Sequence, residues 1–299
     1  YNMFKKTLIA AAVATLASSV AMADVKIGGQ VKMTFSDVKD STTEQWKLGS
    51  DNALNFSVTE DLGNGMSAFA KITLDTDATA TVNTDGDASD NQKDAVVGLK
   101  GAFGTVVMGR MEGLVEGKIM STMDDGSAGI EAGGNHADRE MALAYVSPTV
   151  NGVHVAVAGF TSATNDSAFP NSNVAVFYDN GPLSVKIANE SMDAANTDVT
   201  VVAASYAMGD LKVSALQLDD EAASNDSTAI RIDYKMGNNK IILGNLSSDA
   251  ANGDVTSYKL NHSFSSRTTG YIGFHDKESG ADKTYVGLMR SEERRVGKE

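Results

Sequence analysis

The chain has 299 residues, of which 42% are apolar and 6% aromatic, with no cysteine and a formal charge of −14. Without cysteine there is neither a disulfide framework nor a Cys-ligated metal site. The negative balance argues against nucleic acid as a partner.

Residues 3–23, MFKKTLIAAAVATLASSVAMA, have a basic start, an apolar run and a small-x-small end, the pattern of a cleaved secretory signal. A membrane-crossing helix needs about 20 apolar residues, and this run is interrupted by Thr15, Ser18 and Ser19. Tyr1 and Asn2 precede Met3 and read as non-native leading residues. Without the signal the charge becomes −16, and no linker divides the chain from Asp24 onward.

From Asp24 the sequence alternates. Val25, Ile27, Val31, Met33 and Phe35 share one face, while Lys26, Gln30, Lys32, Thr34 and Ser36 share the other, which predicts a strand with one apolar and one polar side. The same period of two sets Trp46, Leu48, Leu54, Phe56 and Val58 against Lys47, Asn55 and Ser57, and Ile72 and Leu74 against Lys71 and Thr73. Further along it sets Ile230, Ile232, Tyr234 and Met236 against Arg231, Asp233 and Lys235. Such runs fall near 24–36, 45–60, 66–76, 93–101, 104–111, 139–147, 153–162, 173–179, 182–190, 198–207, 211–218, 227–236, 240–248, 254–264, 268–276 and 282–290, sixteen in all. No helical spacing is expected after the signal.

Connections alternate in length. Turns such as Leu62-Gly63-Asn64-Gly65, Asn151-Gly152 and Asn180-Gly181 are short, and Asn-Gly accepts the positive φ of tight hairpins. Between them lie Asp/Asn/Ser-rich loops, the longest covering residues 112–138. An even number of antiparallel strands with short turns at one end and long loops at the other is the outer-membrane barrel pattern. A soluble sandwich also alternates, but has no reason to segregate loop length or to keep polar residues on its core face. Aromatics near strand ends, including Phe35, Trp46, Phe103, Phe160, Tyr206, Tyr234 and Phe264, fit interfacial girdles.

The start DVKIGGQVKMTF, the hairpin LKGAFGTVVMGR, the segment ADREMALAYVSPTVNG and the ending TYVGLMR together resemble a general Gram-negative outer-membrane porin of the sixteen-stranded, trimeric kind. The resemblance covers Asp24 to Arg290. It implies an all-β fold, a transmembrane antiparallel barrel with short periplasmic turns, long external loops and an inward-folded third loop. It also implies a homotrimer in contact with outer-membrane lipid and lipopolysaccharide, passing ions and small hydrophilic solutes without cofactor or catalysis. In that family the last strand ends on an aromatic residue, whereas here SEERRVGKE follows Arg290, so residues 291–299 read as a non-native tail.

Glu112, Glu116, Asp124, Asp125, Glu131 and Asp138 of the third loop are candidates for the acidic half of a constriction, where a transverse field sorts solutes by charge. For the basic half, Lys26, Lys32, Lys47 and Lys71 fall on the polar parity of their strands. Arg110 and Arg139 come from the resemblance, and Arg139 shares parity with Met141 and Leu143, so its place in the lumen needs a position above the strand proper. The net charge and the acidic third loop lead us to expect moderate cation preference. Asp85-Gly86-Asp87-Ala88-Ser89-Asp90 has carboxylates spaced as in a calcium loop but lacks the terminal Glu and flanking helices, so a solvated second external loop is the better reading. No G-x-S-x-G elbow accompanies the Ser, His and Asp residues, which leaves a barrel-embedded hydrolase without support. The rival from another class is a secreted or surface-attached adhesive β-protein without a pore, which would bury apolar residues on the inner face.

Overall fold

The computed structural model describes residues 24–39, 44–76, 92–123, 139–161, 168–193, 198–221, 226–249, 253–278 and 281–296. The strands in the first half are β1 (Asp24–Lys39), β2 (Glu44–Ser50), β3 (Ala53–Gly63), β4 (Met66–Asp75), β5 (Gln92–Gly101), β6 (Gly104–Met111), β7 (Glu140–Val146) and β8 (Val153–Phe160). They continue as β9 (Asn171–Asn180), β10 (Leu183–Ser191), β11 (Val199–Met208), β12 (Leu211–Asp220), β13 (Ser227–Met236), β14 (Asn239–Ser248), β15 (Val255–Ser263), β16 (Thr268–Lys277) and β17 (Asp282–Val296). Apart from β2 and β3, which do not pair with each other, sequence neighbours pair antiparallel, and β17 returns to pair with β1, so the sheet closes. Strands β2 and β3 keep one register against β1 and are parted only by Asp51-Asn52, so the barrel has sixteen staves. At that break the Asn52 Oδ1 accepts the Lys32 backbone N–H at 2.9 Å in place of a ladder bond.

The period of two decides which side of the wall each residue takes. Val31 (56% exposed), Leu48, Met141, Val202, Leu243, Ile272 and Leu288 lie on the outside, a belt that only lipid makes favourable. Among the described residues no helix is long and apolar enough to cross a membrane; the strands do the crossing. On the outer face near the long-loop end, Asn189–Thr200, Gln217–Thr228 and Asn245–Thr256 are hydrogen-bonded across strands and mark the upper rim of the belt. Phe103, Tyr206, Tyr234 and Phe264 stay exposed toward the turn end, as girdle residues do. Phe160 is an exception to that expectation. It is fully buried on the inner side, because its parity follows Ala156 and Ala158 into the barrel.

Turns behave as their residues require: Asn151 and Gly152 have φ of +51° and +84°. Three other features differ from the sequence reading. The second strand is interrupted at Asp51-Asn52, the third loop contains helical turns, and the last strand runs past Arg290 to Val296. Residues Ser291 to Val296 pair with Gln30 back to Val25, so this stretch completes the seam with β1 instead of lying outside the barrel. Arg290 and Glu292 fall on the outer parity at the turn-end rim, where Glu292 joins Arg290 at 2.5 Å and Arg267 at 2.8 Å. The second-loop segment Asp85–Asp90 and the signal lie outside the described residues.

The seam is also bolted from within. Tyr271 of β16 passes over Gly287 of β17 and its hydroxyl lies 2.6 Å from the Thr34 hydroxyl of β1. Gly287 permits this because a Cβ there would come 2.2 Å from the tyrosine ring. Gly287→Val is therefore expected to displace Tyr271 and weaken closure, at about 1–3 kcal/mol for the overpacking and about 1 kcal/mol for the lost hydrogen bond. The midpoint of urea unfolding in detergent micelles measures this, and an unchanged midpoint would refute the seam role.

Candidate functional site: the third loop and the inner wall

The loop after β6, here L3, turns inward because its first residues are apolar at helical spacing. Val115, Ile119 and Met123 recur every fourth residue and all three are fully buried, on a wide helical turn (Val115–Ile119) followed by a tight one (Met120–Thr122). This corrects the expectation that helical spacing is absent after the signal. The knob packs on the inner faces of β7 to β12, where Ala142, Ala144, Ala156, Ala158, Ala175 and Ala188 leave room for it. Small side chains let the loop approach closely, and burial of the Val, Ile and Met side chains is worth roughly 1.5–3 kcal/mol each.

Polar tethers fix the orientation of the loop. The Leu114 N–H donates to Asn173 Oδ1 at 2.7 Å, and Lys186 Nζ donates to the Lys118 carbonyl at 2.7 Å and to Thr122 Oγ1 at 2.9 Å. Arg231 donates to the Met123 carbonyl at 3.0 Å while gripping Asp233 with two bonds of 2.8 and 2.9 Å. The start of L3 therefore occupies the β7–β13 side of the barrel interior.

On the inner wall away from the knob, charged residues form chains of alternating sign. Lys71 meets Asp94 at 2.8 Å, Asp94 lies 3.7 Å from Arg139, and Arg139 donates to Glu112 at 2.5 Å, tying the wall to the base of L3. A second chain links Lys32 to Asp51 at 3.1 Å, Asp51 to Lys93 at 3.8 Å and Lys93 to Asp75 at 3.1 Å. Further round, Lys259 Nζ stands 4.8 Å from the Tyr271 ring and Lys283 Nζ 5.6 Å from the Tyr285 ring, cation–π distances.

The predicted site residues separate accordingly. Lys26, Lys32 and Lys71 take the inner parity, with Lys26 beside Glu293 at 3.5 Å; Lys47 has the same parity and faces Ser36 in the register. Arg139 sits before β7, above the strand proper, and points to Glu112 and Asp94. Arg110 pairs with Ala95 and Met141 in the register, just after Gly109 with its φ of +131°, and its Nε is buried. Glu116 is half-buried within the L3 turn, and Asp124, Asp125, Glu131 and Asp138 lie outside the described residues. The candidate set omitted Lys186, Arg231, Lys259 and Lys283, although the alternation of β13 already put Arg231 on the polar side. Extending the period of two through β10, β13, β15 and β17 identifies their face; their partners are set by contacts far apart in sequence.

A closed antiparallel barrel with a lipid-facing belt, a charged inner wall and a loop docked inside defines a transmembrane β-barrel. Residues 10–282 match the model of the Gram-negative porin family, and the chain belongs to that family, whose place is the outer membrane. Among curated relatives, a monosaccharide porin of a Halomonas species is 28% identical over 222 residues, 59% of each chain. The major outer membrane protein P.IB of Neisseria lactamica is 32% identical over 136 residues, 42% of this chain and 39% of the relative. The chain thus spans 59% of the length of the Halomonas relative. Among solved structures, the anion-selective porin from Comamonas acidovorans has a TM-score of 0.71 at 23% identity, covering 91% of this chain and 100% of the other. A triple mutant of Rhodopseudomonas blastica porin has a TM-score of 0.74 at 16% identity, with the same coverage. At these identities the likeness is one of fold.

Proposed function

We propose that this protein is a non-catalytic, water-filled channel for passive diffusion of ions and small hydrophilic solutes, acting as a homotrimer embedded in outer-membrane lipid and lipopolysaccharide. The observation that carries the reading is the start of L3 docked inside a closed, charge-lined barrel by Val115, Ile119 and Met123. The adhesive alternative has no use for an inner wall lined by Lys32, Lys71, Asp94 and Arg139.

We infer moderate cation preference from a charge of −16 after the signal and from acidic loops at the mouth. The lysines beside Tyr271 and Tyr285 oppose it and keep it moderate. The anion preference of the Comamonas acidovorans porin belongs to that protein, and a reversal potential in a salt gradient decides the sign here. Anion preference would overturn this part of the reading.

The constriction is tested by charge removal. A unit charge 5 Å from the ion path is worth about 0.8 kcal/mol even in water, a factor of about four in ion partitioning. One beyond the Debye length of about 8 Å at physiological salt counts for little. Neutralising Glu112, Glu116, Asp124 and Asp125 together is expected to shift the cation-to-anion permeability ratio several-fold, while neutralising Asp85, Asp87 and Asp90 leaves it near wild type. Equal shifts in the two variants would show that L3 does not form the constriction.

A further inference from the structure

On the turn side of L3 the inner wall of β9–β14 holds a second feature, a cavity of about 810 Å³ roofed by Ser121 and Thr122 of the loop. Its charged lining is uneven: Lys186, Lys212, Arg231, Lys235 and Lys240 face only Asp179, Asp210 and Asp233. The single carboxylate in the centre is already engaged, since Asp233 takes Arg231 by two bonds and Lys240 at 3.1 Å. Lys235 lies directly opposite Lys240 in the register, a like-charge pair that a sheet does not choose for stability. Lys212 and Lys235 have no ion pair among the described residues, although Lys212 stands opposite Asp233 in the register. Ser184 and Ser205 add hydroxyl donors at the same level.

We propose that this turn-side pocket is a binding subsite for small multivalent phosphate oxyanions, held chiefly by Lys212, Lys235 and Lys240. The chemistry follows from the donor set: ammonium groups on adjacent strands with hydroxyls beside them match an anion with several oxygens at once, and a monovalent halide gains little from such spacing. The carboxylates of Asp179 and Asp210 border the pocket and press an anion toward Lys212 and Lys235. The pocket is bordered by the Gly209-Asp210 turn, so a solute reaches it from the periplasmic end without crossing the L3 constriction. It therefore holds anions at the inner exit while the acidic mouth favours cations at the outer one. The proposal rests on the channel reading for its access route, and on the described wall alone for its binding groups.

The test is calorimetric titration of the purified full-length protein in detergent with inorganic pyrophosphate at low salt. We expect saturable binding that Lys212→Gln with Lys235→Gln weakens at least about tenfold, and that weakens with added salt. Lys39→Gln with Lys100→Gln removes the same charge elsewhere and is expected to change affinity less than twofold. No saturable binding to wild type, or equal weakening in both double variants, overturns the proposal. Wild-type conductance steps in a planar bilayer test the channel reading separately; their absence would refute diffusion while the titration still decides the subsite.

Discussion

Ile119→Asn is expected to free L3 from the inner wall and to convert a steady pore into a wider, flickering one. Ile119 is 0% exposed and sits among the alanines of the inner wall with Val115 and Met123. Losing its aliphatic burial costs about 2–5 kcal/mol, and an amide left without partners there adds about 1–3 kcal/mol. The remaining tethers, Asn173 to the Leu114 N–H, Lys186 to the Lys118 carbonyl and the buried Arg231 to the Met123 carbonyl, are single hydrogen bonds contributing about 1–3 kcal/mol each. Docking then becomes marginal. The barrel itself is closed by strand pairs that do not involve Ile119, so its unfolding midpoint should stay close to wild type. Single-channel recording checks the idea: higher conductance with excess current noise is the expected result. A quiet channel of unchanged conductance would mean that the apolar knob does not hold the loop.

Leu243→Arg should impair folding into lipid far more than Thr256→Arg, although both positions lie on the outer surface. Leu243 faces outward between Ile232 and Tyr258 in the register, midway between the Tyr234 girdle and the Asn245–Thr256 row. An arginine at mid-depth costs about 2–4 kcal/mol and one near the interface about 0–1 kcal/mol. Thr256 is already part of the polar row, so an arginine there keeps its head in the headgroup region. Refolding into phospholipid vesicles, followed by the heat-modifiable gel shift, measures the difference. Equal loss in both variants would contradict the depth assigned to the Asn245–Thr256 row.

Much of this architecture is legible in the chain because a barrel stave is a local object. Val31 against Lys32, Ile72 against Lys71 and Ile230 against Arg231 each show the wall's two sides within two residues, and Asn151-Gly152 shows which end is the tight one. What the reading lost was lost where alternation stops carrying information. The break at Asp51-Asn52 keeps phase, so the flanking strands alternate as though continuous. Residues Ser291 to Val296 have little apolar content, yet they continue the ladder because β1 offers an unpaired edge from Val25 to Gln30.

The charged site divides in the same way. The sequence alone determined that Lys26, Lys32 and Lys71 face inward and that residues 112–138 form a long acidic loop, since both follow from parity and composition over a few neighbours. The apolar knob was also written there, as Val115, Ile119 and Met123 at fourth positions, but its meaning depends on alanines contributed by β7 to β10. Only the tertiary structure decided that Lys186 reaches a carbonyl 68 positions away and Arg231 one 108 positions away. The same closure of the barrel set Lys235 opposite Lys240 beneath L3. Alternation is dictated by the pleat of each strand, a property of adjacent residues; the docking of L3 is dictated by which walls closure brings opposite one another, a property of the whole ring.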